Sequence, residues 1–123
     1  MPVQVFNTPY VTSEQYGFVA INVSTSGDNI LVAAVPGLRI VVTSMEFLVG
    51  GAVYITWRSG TGAVGSNQAL SGPMPFGGTG APGDSKTEND RGWYSSNLGE
   101  ALNMNLSAGV QVSGGLTYAL RTP

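Results

Sequence analysis

The sequence predicts an all-β sandwich, on three observations. Apolar residues recur with a period of two over several short runs, as strands with one buried face require. Turn residues punctuate those runs: the chain holds 18 glycines and 7 prolines in 123 residues. No stretch carries the 3.6-residue period of an amphipathic helix. The length is that of one domain, expected to hold about seven to nine strands at the usual strand spacing.

The central stretch, Asp28–Ser59, reads as a three-strand meander. Asn29–Val35 is rich in β-branched and small apolar residues. Pro36-Gly37 has the residues of a type II turn, with proline fixing one φ and glycine supplying a positive one. Leu38–Val49 is the second strand, and Gly50-Gly51 reads as a two-residue hairpin. Ala52–Arg58 is the third, with Val53, Ile55 and Trp57 on one face and Tyr54, Thr56 and Arg58 on the other. The first two strands are apolar on both faces. Ile40 and Val42 oppose Val41, Met45 and Phe47, while Leu31, Ala33 and Val35 oppose Ile30, Val32 and Ala34. Such strands are covered on both sides. A helix, a folded-back loop or another subunit could do this. With no helix in the pattern, a subunit is favoured, and Leu31, Ala33, Val35, Val41, Met45 and Phe47 become the candidate oligomer interface.

Before the meander, Met1–Gly17 has no helical period and reads as an extended arm or a short edge strand. Its aromatic and apolar residues Val5, Phe6, Tyr10 and Tyr16 are candidates for contact with a partner. Phe18–Thr25 alternates, with Val19, Ile21 and Val23 inward. After it, Ser71–Ser85 carries five glycines and three prolines, a density expected to exclude a ladder. Asp84, Lys86, Glu88, Asp90 and Arg91 follow as a charge cluster. The stretch from Ser71 to Arg91 is therefore expected to be a long surface loop. Trp93 and Tyr94, beside it, are candidate exposed recognition residues. Leu98–Ala108 turns Leu102, Met104 and Leu106 inward. Gly114-Gly115 reads as a hairpin turn before a last strand, Leu116–Arg121. The domain division expected is an arm over 1–17 and a sandwich over 18–121.

Composition narrows the chemistry. The chain has no cysteine and no histidine, which removes thiol chemistry and the commonest general base and metal ligand. Charged residues are 10% of the chain, against about 25% in an average soluble protein. The net charge is −2 with no basic run, so nucleic-acid binding is not expected. No apolar run reaches the roughly 18 residues of a membrane-spanning helix. The start lacks the basic and apolar regions of a secretory signal, so cytoplasmic synthesis is expected. The acids around Asp84–Asp90 lack the spacing of an EF-hand loop. Gly77-Gly78-Thr79-Gly80 lacks the Lys-Ser/Thr of a phosphate loop. No catalytic, cofactor or metal residue is read. Glu46 and Glu100, isolated in apolar strands, are expected to pair with Arg39, Arg58 or Arg121, within the chain or across a subunit boundary.

The runs Val32-Ala33-Ala34-Val35-Pro36-Gly37-Leu38-Arg39-Ile40-Val41-Val42, Trp57-Arg58-Ser59-Gly60, Gly99–Ala108 and Gly114-Gly115-Leu116-Thr117-Tyr118 together resemble small β-sandwich proteins of tailed bacteriophages. These are similar to the decoration, or cement, proteins on icosahedral capsids; related domains occur in head and tail fibres. The resemblance covers roughly residues 18–121. It implies a jelly-roll-like sandwich, a homotrimer, a major capsid protein as partner, a place on the outer surface of the virion and no enzymatic activity. A fibre-type or carbohydrate-recognition module using Trp93 and Tyr94 is the alternative.

Overall fold

The computed structural model describes residues 15–60, 68–78 and 80–122. Among them there is no helix. Ten strands form two five-stranded antiparallel sheets. They are β1 (Gln15–Val23), β2 (Gly27–Val32), β3 (Arg39–Val49), β4 (Val53–Ser59), β5 (Gln68–Ala69), β6 (Met74–Phe76), β7 (Gly83–Lys86), β8 (Tyr94–Ser95), β9 (Leu102–Leu106) and β10 (Val112–Arg121). The first sheet runs β1-β10-β3-β7, with β8 also on β3. The second runs β2-β9-β4-β5, with β6 also on β4. The expected sandwich is present, with side chains of both sheets in one core.

The core follows the alternation of the cleanest strands. Val53, Ile55 and Trp57 of β4 and Leu102, Met104 and Leu106 of β9 are buried against Ile21 of β1 and Leu116 of β10. Phe47 meets Phe76 edge-on across the sheets at 5.1 Å. Trp57 stacks on Tyr94 with ring centroids 5.1 Å apart and planes 16° from parallel. Such a pair contributes about 0.5–1.5 kcal/mol beyond its buried area.

The doubly apolar character of β3 has a local cause. Its pairing with β10 shifts register between Ser44↔Thr117 and Val42↔Tyr118, leaving Thr43 as an extra residue. A β-bulge of this kind reverses which parity faces the core. Ile40 and Val42 point inward before it, and Met45 and Phe47 point inward after it. The candidate interface is corrected accordingly. Met45 and Phe47 are core residues, each 3% exposed, and Leu31 joins them beside a second register shift in β2. Ala33 and Val35 lie beyond the end of β2 at Val32.

The meander is also corrected. β2, β3 and β4 alternate between the two sheets and do not pair with one another. Pro36-Gly37 turns as expected, with Gly37 at φ 77° and the Leu38 amide donating to the Val35 carbonyl at 3.2 Å. Gly50-Gly51 is no hairpin. Neither glycine has the positive φ that a type I′ turn demands of both central residues, and the Gly50 amide donates to Gln111.

Gly114-Gly115 is not a turn either: β10 runs through it, paired on both sides. A Cβ on Gly114 would overlap the Glu46 carbonyl, and one on Gly115 would lie 2.7 Å from the Phe18 ring. Glycine here permits close strand approach and lets an aromatic ring lie over the sheet. The Gly/Pro-rich stretch supplies β6 and β7, contrary to expectation. Both are short strands at sheet edges. Pro75 sits on β6, which has β4 as its strand neighbour, so no second ladder needs its missing N–H.

Candidate functional site

The outer face of the β1 sheet has two halves. One is covered by the chain itself. Between β7 and β8 the segment Thr87–Trp93 leaves the sheet edge and crosses over it. The Asn89 amide donates to the carbonyl of the bulged Thr43 at 2.8 Å, and the Trp93 amide to that of Val42 at 2.7 Å. Thr117 on β10 contributes its hydroxyl to Glu88 at 3.4 Å. Farther across, Asp90 accepts from Tyr16 on β1 and from Arg121 on β10, each at 3.3 Å. Beneath the segment, Val41, Thr43 and Ala119 are buried although they face away from the core. The Thr43 hydroxyl lies 2.9 Å from that of Thr117, so the bulge has its polar groups met. Val41, read as interface, is covered by this segment: a Cβ on Gly92 would overlap its Cγ1.

The other half is open. Phe18 is 69% exposed, Leu48 65% and Tyr16 62%. Two open grooves share Glu46 and Ser85. The larger, about 520 Å³, runs past Leu48, Pro82, Gly83 and Ser113; the smaller, about 190 Å³, runs past Phe18 and Gly115. Glu46 is exposed here, so the burial that would demand a partner does not arise.

This half ends at β1, an edge strand with one strand neighbour among the described residues. β1 is nine residues long, contains no charge and no proline, and pairs with β10 without a register shift. The other sheet edges differ. β7 has four residues with Asp84 and Lys86, and β8 has two. β5 and β6 have two and three, with Pro75 in β6. β2 carries Asp28 and a register shift. Short length, charge, proline and bulges are the devices that stop sheet edges from pairing with other chains. Three of the four edges carry them and β1 does not.

Of the residues singled out from sequence, Tyr16 belongs to this face, in β1, so the expected arm overlaps the strand. Val5, Phe6 and Tyr10 lie outside the described residues. Tyr94 is not an exposed recognition residue. It packs on Trp57 in the core, and burial, then the Asp84 carboxylate, raises its pKa above the ordinary phenol value. Trp93 is 38% exposed, but its Nε1 donates to the Thr87 carbonyl at 2.9 Å and Lys86 Nζ lies 5.4 Å from its ring centroid. Within the chain, among the described residues, the expected pairing with arginine is not seen. Glu100 accepts from Ser59 at 2.7 Å and Asn97 at 3.0 Å, Arg58 reaches Asp28 at 3.9 Å, and Arg121 pairs with Asp90. Among the described residues no three acidic, His or Cys side chains gather as a metal site.

Phe18 and Leu48 were missed as surface residues. The signal for Phe18 was available, since it precedes Val19 in an alternating strand and must face away from the core. No protein-family model, curated protein or solved structure matches the chain.

Proposed function

We propose that this chain is a non-enzymatic structural protein that works by assembly, decorating and reinforcing the outer surface of a tailed-phage capsid. One observation supports this reading most. A sandwich that covers part of its own outer face leaves Tyr16, Phe18 and Leu48 exposed beside a sheet edge that has one strand neighbour among the described residues. An exposed apolar patch next to an open strand edge is the form of a surface that binds other proteins. The low charge agrees, because a surface with few ionic groups is cheaply desolvated. The jelly-roll-like connectivity, the major capsid protein as partner, the virion location and the homotrimer come from the family resemblance.

The alternative, a fibre-type or carbohydrate-recognition module, has less to stand on. Tyr94 is occupied by Trp57, and Lys86 lies over the Trp93 ring. The test is co-sedimentation of the purified chain with phage capsids lacking it, followed by measurement of capsid resistance to heat. Saturable binding and a higher rupture temperature are expected. Absence of binding to capsids, together with binding to glycans on an array, would replace this reading with the alternative.

A further inference from the structure

We infer that two copies of this chain join edge to edge through β1, in antiparallel pairing, to make one continuous sheet. The inference does not depend on capsid binding. It concerns only the surface by which the chain meets its own copy.

The occupant follows from the strand. Gln15–Val23 is the longest edge strand among the described residues and carries no blocking device. Its outer neighbour must supply an extended backbone of similar length. The neighbour must also bring no charge against Tyr16, Phe18, Ala20 and Asn22, which face outward from the sheet. β1 meets both conditions itself. No like charges can oppose each other in a β1–β1 pair, because the strand contains none. The edges of β2, β6 and β7 all bring a charge or a proline.

The geometry is specific. The register that pairs all nine residues is centred on Val19 and relates the copies by a two-fold axis. Directly opposite residues in an antiparallel pair share a face. Phe18 of each copy then faces Ala20 of the other, so a large ring meets a small side chain twice. Tyr16 faces Asn22. The axis stands perpendicular to the sheet, so both Tyr16–Phe18–Leu48 stripes come to lie on the same side. Each copy uses its edge once, and a closed pair leaves no free β1 to template further addition.

The experiment is mass in solution by light scattering on the full chain, with two double variants. Phe18→Lys with Ala20→Lys sets lysines opposite lysines in the Val19-centred register. Phe18→Lys with Ala20→Glu sets each lysine opposite a glutamate. Both positions are exposed, so the fold should be kept, and a circular dichroism spectrum matching the parent checks this. The parent is expected at twice the chain mass, the lysine–lysine variant at the chain mass, and the lysine–glutamate variant back at twice. A parent that is monomeric or trimeric overturns the inference. So does a lysine–lysine variant that stays paired, or a lysine–glutamate variant that stays monomeric. Capsid co-sedimentation of the same proteins reports separately on the proposed function.

Discussion

The two halves of the outer face of the β1 sheet began with the same problem and met it differently. Over Val41, Thr43 and Ala119 the chain folds its own segment, Thr87–Trp93, back across the strands. Phe18 and Leu48 stay exposed, with no comparable segment over them among the described residues. The covered half shows that apolar residues on both faces of a strand need not signal a partner subunit, since a loop of the same chain suffices. The open half is where the proposed pairing of copies places its contact. A reading that joined both into one interface would place the contact under the Thr87–Trp93 segment, where no second copy can reach.

Charge substitution breaks this comparison most sharply. Val41→Asp puts a carboxylate beneath the segment, 4% exposed in the parent, and should cost more than about 3 kcal/mol in denaturant unfolding. Leu48→Asp, on the open half, should stay within about 0.5 kcal/mol. Equal losses at the two sites would erase the distinction. A smaller effect is expected at the point where the segment turns onto the sheet. Gly92 has φ 89° and lies against Val41. Gly92→Ala should lose about 1–3 kcal/mol by thermal unfolding, through backbone strain and displacement of Val41. A neutral result there would mean that the segment's path is not held by this residue.

The smallest expected effect depends on pH. Tyr94 has its pKa raised above the ordinary 10.0 by burial and by Asp84. The fold therefore favours the neutral phenol. The stability from this group is fully present below pH 10 and is lost as pH rises through the higher folded-state value. Tyr94→Phe should flatten that alkaline loss in unfolding curves taken across this range, while leaving neutral-pH stability only slightly changed. An alkaline loss as steep in the variant as in the parent would assign it to another group.

The strands that alternate without interruption were legible as sequence. In β4 the set Val53, Ile55, Trp57 and in β9 the set Leu102, Met104, Leu106 face the core as their period requires. β3 was legible as a strand but not in its facing, because one extra residue at Thr43 reverses the parity midway. The reversal itself, Ile40 and Val42 followed by Met45 and Phe47, is the trace a bulge leaves in sequence. Glycine pairs were ambiguous. The same Gly-Gly that could turn a hairpin serves at Gly114-Gly115 to admit close strand approach, and only the neighbouring strands decide which. The open face was the least legible part. The alternation of Val19, Ile21 and Val23 already turns Phe18 outward, whereas Leu48 looks like an ordinary core residue until the bulge in β3 is known.

Amide hydrogen exchange on the full chain at low and high protein concentration tests the central claim most directly. The amides of Asn89 and Trp93, bonded to Thr43 and Val42, should be protected equally at both concentrations, because the chain covers itself there. The outward amides of Gln15–Val23 should exchange quickly when dilute and slowly when concentrated, as copies pair. Protection at Asn89 and Trp93 that rises with concentration, beside β1 amides that do not respond, would contradict the account.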